Sequence, residues 1–196
     1  MIAPYTSRNR IMDAAAFIMK TKGLGAAKLS DIAKRAGMLA PSLYHHFASK
    51  DQLVEEVMLE GIYRNTRHIV ARVEVLGPDA PPLKRFKAAI MAHIDFLLSG
   101  DDYSSAVARV FEDLPEDMKR RVLASYSAFD NYWRDLIVGA QKVGHARENL
   151  DPTLVRKFLI PMLNSCSSWY RSGKLSPEQV AEQVSEFVLH GFAKSS

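Results

Sequence analysis

The sequence predicts an all-α protein of about nine helices, on three observations. Apolar residues recur at three- and four-residue spacing along nearly all of the 196 residues. The apolar–polar alternation of half-buried strands is missing. The composition, 47% hydrophobic and 24% charged, is that of a globular chain long enough for one good core or two small ones, which excludes disorder as its main character.

The elements follow in chain order. Ile11, Ala14, Ala15 and Ile18 make a first stripe, ended by Gly23 and Gly25. Leu29, Ile32, Ala33 and Ala36 make a second, very short one stopped by Gly37, and a third short helix spans Pro41 to Phe47. Ser49-Lys50-Asp51-Gln52 has the form of a capping box, Ser49 accepting from the backbone three residues on and Gln52 reaching back. It opens a long helix through Leu53, Val57 and Ile62 towards Val75. Leu76 to Pro82 combines a glycine with three prolines and is the best linker in the chain. Beyond it the pattern predicts helices over Leu83–Leu98, Ser104–Leu114, Pro115–Val143, Pro152–Arg171 and Pro177–Ala193. Ser99-Gly100-Asp101-Asp102, Gly144, Asp151-Pro152 and a second capping box, Ser176-Pro177-Glu178-Gln179, punctuate them.

Charge is unevenly spread. Residues 1–50 hold eight Lys and Arg against Asp13 and Asp31, a net of +6, which leaves −2 for the remainder of a chain whose total is +4. Basic charge gathered at one end is an electrostatic footprint for polyanions, and binding by counterion release is steeply salt-dependent. The single cysteine, Cys166, cannot form an intramolecular bridge and suits a reducing compartment. The first residues lack an apolar leader core, and no stretch approaches the ~20 apolar residues of a membrane span. A cytoplasmic protein with no membrane partner is expected.

Leu29 to Lys50, LSDIAKRAGMLAPSLYHHFASK, is the informative segment. Two short helices meet at Gly37, a residue type that tolerates the left-handed backbone of a sharp turn, and this is the form of a helix-turn-helix. Such a motif offers the N-terminal end of its second helix to the major groove while the first crosses the phosphate backbone. Pro41 fixes that end. Ser42 offers a short hydroxyl, Tyr44, His45 and His46 are hydrogen-bonding groups that so short a helix has little room to bury, and Lys50 suits a phosphate.

IAKRAGMLAPSLYHHFASKDQL resembles the signature of the TetR family of bacterial transcriptional regulators, with Ile-Ala, the turn glycine, Leu-Tyr-x-His-Phe and Ser-Lys at the family's spacing. Ala14, Ala15, Phe17 and Gly23 also fall where the family's first helix and following turn lie, so the resemblance covers roughly residues 7–60. It implies a DNA-binding domain over 5–65 with its motif at 28–47, and a ligand-binding and dimerisation domain over 66–196. It further implies DNA contacts at Lys28, Leu29 and Ser30, at Ala40, Pro41, Ser42, Tyr44, His45 and His46, and at Lys50. Tyr44 and Lys50 are expected on phosphates, Ser42 and His45 on base edges. Two positions depart from the pattern: the family's cap Thr before the second helix is Lys28 here, and its Ser just after the turn is Leu39. Neither side chain can accept from a backbone N–H, and each lost cap costs ~1 kcal/mol.

The C-terminal part reads differently. Val122, Tyr126, Phe129, Trp133, Leu136, Ala140 and Val143 form one long stripe, to which Met91, Phe96, Phe111, Met162 and Trp169 add bulk from other helices. Taken singly each is a core residue. Together, the polar tips of Tyr126, Tyr132, Trp133, Trp169 and Tyr170 give the composition of an apolar pocket with a few anchors, and the resemblance implies a ligand cavity among these helices. Arg109 and Lys119-Arg120-Arg121 are candidates to hold an anionic group, though a solvated basic face explains them more simply. Phe158, with Leu154, Val155 and Leu159, makes a stripe too wide for a helix packed on one side, with Pro161 expected to kink it. Val180, Val184, Phe187 and Val188 make another. Two such helices from each of two chains would close a four-helix interface, and a twofold dimer sets recognition helices about 34–36 Å apart on a palindromic site.

No other chemistry competes. His45 and His46 point about 100° apart on a helix and His68, His93, His145 and His190 form no i, i+4 pair, so neither a metal nor another cofactor is expected. Gly23-Leu24-Gly25 follows a helix and lacks a third glycine, which makes it a turn, and Cys166 has no implied base. An enzyme is not expected. The reading is a homodimeric repressor that binds operator DNA and is released by a mostly apolar small molecule. Ala36 to Phe47 together with Trp169-Tyr170-Arg171-x-Gly173 is similar to regulators that sense acyl-CoA thioesters, with drug-like and aromatic effectors open beside them. The alternatives are an architectural DNA-binding protein without an effector and a small helical ligand-binding enzyme.

Overall fold

The structure, a computed structural model, describes residues 5–192. Over these it has ten α-helices, one 3-10 turn and no strand. In chain order they are α1 Ser7–Ala26, α2 Leu29–Ala36, α3 Ala40–Leu43, α4 Lys50–Glu74, α5 Pro82–Leu98, α6 Asp102–Val110, α7 Glu116–Ala124, α8 Ser127–Lys142, α9 Pro152–Trp169 and α10 Pro177–Phe192, the 3-10 turn being Phe111–Asp113. The expected all-helical class holds, and no helix is long and apolar enough to cross a membrane among the described residues. The expected end of the last helix at Ala193 lies outside the described residues.

The helices gather into two compact units that do not follow chain order. One joins the described residues up to Tyr63 with Asp101–Ser125, and the other joins Arg64–Gly100 with those from Tyr126 onward. In the first, Ile11, Ala15, Ile18 and Met19 of α1 are buried with Ile32, Leu43, Phe47, Val57 and Met58. α6 is fastened along α1 by Tyr103 Oη donating to Asp13 Oδ1 at 2.7 Å, by the Lys20–Asp102 ion pair at 2.9 Å and by Arg109 Nη1 donating to the Lys20 carbonyl at 3.1 Å. α4 meets α6 at Gly61, where an added Cβ would lie 2.7 Å from Val107 Cγ2 and 3.0 Å from the Tyr103 carbonyl oxygen. Only the absence of a side chain allows that approach.

The second unit is built from the end of α4 with α5, α8, α9 and α10. Phe86, Ile90 and Ile94 of α5 are buried with Trp133, Ile137, Leu163 and Val180. Lys87 ties α5 to α10 through Glu182 and Glu186, at 2.6 and 2.7 Å. Pro161 lies inside α9, which continues through it.

Helix ends differ from expectation in four places, each with a local cause. α1 does not stop at Gly23 but passes it with a kink, the glycine taking φ 76°, and gains a further turn to Ala26. The regular part of α3 is one turn, Ala40–Leu43, after which Tyr44, His45 and His46 follow as turns bonded three residues back to Pro41, Ser42 and Leu43. The helix expected over Ser104–Leu114 tightens into the 3-10 turn at Phe111. The helix expected over Pro115–Val143 is two helices, α7 and α8, parted at Ser125-Tyr126. There the Ser125 amide is shared between the Arg121 and Val122 carbonyls, at 3.2 and 3.1 Å, and its hydroxyl also bonds the Arg121 carbonyl at 3.2 Å, so the last turn of α7 tightens without any Gly or Pro. Val122 and Phe129 therefore belong to different helices and different units, and Val143, past the end of α8, is half exposed.

The caps bear out the punctuation. Ser176 and Gln179 complete a reciprocal box, with Gln179 N donating to Ser176 Oγ at 3.3 Å and Ser176 N to Gln179 Oε1 at 2.8 Å. At α4 the box is offset by one residue: Gln52 N donates to Ser49 Oγ, but the Gln52 side chain accepts from Ala48 N, at 2.7 Å. Thr6–Asn9, Asp101 and Asp151 cap α1, α6 and α9.

Candidate nucleic-acid interface and effector region

The interface begins with the turn that aims α3. Gly37 sits in the left-handed region at φ 70°, ψ 37°, its N–H donating to the Lys34 carbonyl at 3.2 Å while Met38 N reaches the Ala33 carbonyl at 3.0 Å. Leu43 and Phe47 are buried and hold α3 down. The opposite side is left outward: Pro41, Tyr44, His45 and His46 are exposed, Tyr44 by 60%, and Ala40 and Ser42 are half-buried. This alternation of anchor and presentation is what a recognition helix needs, because side chains that read a groove cannot also fill the core.

Around it the basic residues are placed by local partners. Lys28 and Ser30 are exposed at the start of α2, and Lys28 is an N-cap with no side-chain bond, as is Leu39 for α3. Leu39 is 77% exposed, beside the recognition residues, and sequence reasoning had singled it out only as a missing cap. Lys50 is half-buried and donates to the Leu24 carbonyl at 3.2 Å, so it fastens the start of α4 to the end of α1 with one proton and has two more to offer. Arg35 stacks 3.2 Å over the Phe17 ring and Lys22 pairs with Asp31 at 2.7 Å, which draws the Asp31 carboxyl below its usual range.

Two members of the basic run in α7 are held by carboxylates of their own unit. Arg121 pairs with Glu55 and Asp117, both at 2.8 Å, Lys119 with Glu112 at 3.3 Å, and Arg109 reaches back to α1. These three cations are matched by acceptors of their own unit.

In the second unit, Tyr126, Phe129 and Trp133 stack along α8 with ring centroids 5.9 and 6.2 Å apart, and the His93 ring lies 6.2 Å from Phe129 and 6.0 Å from Trp133. Met91, Phe96 and Met162 are half-buried, and Phe96 packs on His68 at 5.5 Å. Phe111 lies in the other unit, and Trp169 is 53% exposed near the end of α9. His93 is the buried polar residue at the centre: Asn65 Nδ2 meets its Nδ1 at 3.3 Å and Asn164 Oδ1 meets its Nε2 at 2.9 Å. Burial pushes its imidazole down to about 4, against the pull of the Asn164 bond. Sequence reasoning weighed His93 only as a metal ligand. The available signal was one polar side chain inside the apolar run Ala88 to Ile94.

Leu154 and Phe158 of α9 and Phe187 of α10 turn outward, Phe158 by 75% and Phe187 by 74%. Val184 and Val188 are half-buried, whereas Val180 is wholly inside its own unit and presents nothing outward.

Comparison with known proteins assigns two successive stretches of the chain to two family domains. Residues 11–57 match the model for bacterial regulatory proteins of the tetR family, and residues 79–192 match that for the tetracyclin repressor-like C-terminal domain. The chain belongs to the TetR family of bacterial transcriptional regulators. This TetR-family protein is 30% identical to the HTH-type transcriptional repressor KstR2 of Mycobacterium tuberculosis over 95% of its own length and 93% of that repressor. The solved structure of that ketosteroid transcriptional regulator superposes with a TM-score of 0.74 at 28% identity, covering 98% of this chain and 97% of the other. The fold is shared with AibR, crystallised with isovaleryl coenzyme A and operator DNA, at a TM-score of 0.80 and 21% identity over 93% of this chain and 97% of that one.

Proposed function

We propose that this TetR-family regulator is a repressor that binds a palindromic operator as a homodimer and lets go when a mostly apolar small molecule occupies its C-terminal part. The observation that carries the reading is the outward Pro41–His46 face of α3, pinned from behind by Leu43 and Phe47 on the Gly37 turn. In this reading residues 5–65 hold DNA through Lys28, Ser30, Tyr44, His46 and Lys50 on phosphates, with Ser42 and His45 on base edges. Residues 66–196 hold the effector and the second subunit. The outward Phe158 and Phe187 support the dimer face, and the aromatic group around His93 supports an apolar effector site.

Release works through connectivity. α4 starts at Lys50 beside the recognition helix and ends at Glu74 among residues of the second unit, so a ligand that prefers one tilt of α4 alters the spacing of two recognition helices. Couplings of ~1–3 kcal/mol loosen binding by about tenfold to a hundredfold. AibR, crystallised with isovaleryl coenzyme A, directs the first choice of effector to acyl-CoA thioesters, with fatty acids and aromatic or drug-like molecules as the comparison arms. The test is duplex binding in low salt by fluorescence anisotropy, with each compound added in turn. Tyr44→Ala weakens binding to every duplex alike and Ser42→Ala mainly relaxes sequence preference. Absence of duplex binding in low salt overturns the DNA reading, and operator affinity indifferent to every bound compound overturns the release mechanism.

A further inference from the structure

Three buried side-chain polar atoms of the second unit find no hydrogen-bond partner among the described residues; one is the Tyr132 hydroxyl, and the other two, on Asn65 and Trp133, flank the His93 ring. With His93 Nε2–H given to Asn164 Oδ1, the Nδ1 of a neutral ring is an acceptor, and Asn65 must present its NH2 to it. That leaves Asn65 Oδ1 as a spare acceptor, shut off from solvent and without a hydrogen-bond partner among the described residues. Trp133 Nε1–H, a donor, is in the same condition. The Trp133 ring is 0% exposed, lies 6.0 Å from the His93 ring that Asn65 touches, and is flanked by Phe86 and Phe129. Buried polar atoms in native proteins find partners, and an unpaired donor and an unpaired acceptor in one aromatic cluster call for a group that is both.

We propose that Asn65 and Trp133 are the polar anchor of the effector site and together take one uncharged hydroxyl of a mostly apolar ligand, its oxygen accepting from Trp133 Nε1–H and its proton going to Asn65 Oδ1. The proposal rests on the reading that this part of the chain binds a small apolar effector, and it narrows the chemistry of that effector. A hydrocarbon leaves both atoms unmet. A carboxylate meets the indole but offers Asn65 no proton, and it brings a charge beside a histidine that burial keeps neutral. A water molecule meets both atoms as a hydroxyl does, and the ligand takes its place.

The probes are 2-naphthol, 2-naphthoate and naphthalene at neutral pH, alike in size and different in the group presented. The chain has two tryptophans, so Trp169→Phe leaves Trp133 as the single indole and its 15N-labelled Nε1–H resonance as the reporter. We expect 2-naphthol to bind about tenfold more tightly than either comparator and to move that resonance downfield. Asn65→Leu and the milder Asn65→Ala abolish the preference while naphthalene binding stays. Tighter binding of 2-naphthoate, a preference that survives both Asn65 variants, 2-naphthol binding that leaves the indole resonance in place, or no binding of the three overturns the anchor. If another compound then releases DNA without touching Trp133, the repressor reading stands alone. If 2-naphthol shifts Trp133 but no compound alters duplex affinity, the anchor stands and the release mechanism falls.

Discussion

Lys28 occupies a position where a helix wants an acceptor, and the structure leaves the cap unmade. Its ammonium also sits at the positive end of the α2 dipole, a mild cost in the free protein that a phosphate would reverse. Lys28→Thr is therefore expected to raise stability by about 1 kcal/mol, read as an upward shift of the melting temperature, and to lower by about one the slope of log affinity against log salt for any duplex. A melting temperature that stays put or falls would show that position 28 makes no capping demand. His93 makes the second prediction at this scale. Its imidazole is held at about 4 when folded, against 6.5 free, so between those values the unfolded chain takes up a proton that the folded one refuses. This contribution to stability is complete above pH 6.5, is lost as pH falls towards 4, and amounts to about 3 kcal/mol when fully expressed. Denaturant melts across that range are expected to show a shallower pH dependence in His93→Gln. Parallel curves for the two proteins would mean that His93 titrates normally. The partners of His93 were not legible in sequence, because Asn65 and Asn164 stand 28 and 71 positions from it and meet it only in the folded chain.

The helix-turn-helix was legible at the scale of elements because its determinants are local: a glycine that must be left-handed, two buried anchors four residues apart and hydrogen-bonding side chains between them. The division of α7 from α8 was not, since a serine whose hydroxyl folds back leaves no mark that distinguishes it from a surface serine. The crossing of α4 with α6 was equally invisible. Gly61 lies inside a helical pattern, where a glycine costs up to about 1 kcal/mol relative to alanine, and its reason is the Tyr103 backbone against it. Gly61→Ala is expected to destabilise the protein by about 1–3 kcal/mol, since the Val107 side chain can rotate away but the Tyr103 carbonyl can move only with its helix. Equal or greater stability, by the helix-propensity gain of alanine, would show that α4 and α6 separate freely. A changed operator affinity in the same variant would tie this crossing to DNA binding.

At the scale of the whole molecule, Phe158 of α9 and Phe187 of α10 stand three-quarters exposed, at 75% and 74%. Isolated exposed apolar residues are ordinary, but Leu154, Phe158 and Phe187 lie on the two helices that the width of the stripes marks for a second subunit. Phe158→Glu with Phe187→Glu is expected to give a monomer by sedimentation at micromolar concentration and to weaken operator binding by about a hundredfold or more, since two half-sites no longer act together. An unchanged sedimentation coefficient places the subunit contact elsewhere. Val180, buried in its own unit, shows what stripe width alone does not separate: a helix that covers its own core and a partner looks the same as one that covers only the core more fully.

The DNA-binding unit is assembled from two stretches of chain, with α6 and α7 supplied from beyond α5. A fragment excised at residue 65 would carry the recognition helix and lose the wall behind it, since the Tyr103–Asp13 and Lys20–Asp102 bridges and the Gly61 crossing all go with the missing segment. Such a headpiece is expected to give poorly dispersed amide resonances. A longer piece ending after Ser125 is expected to recover native dispersion, so the reader of DNA cannot be trimmed away from the middle of the polypeptide that follows it.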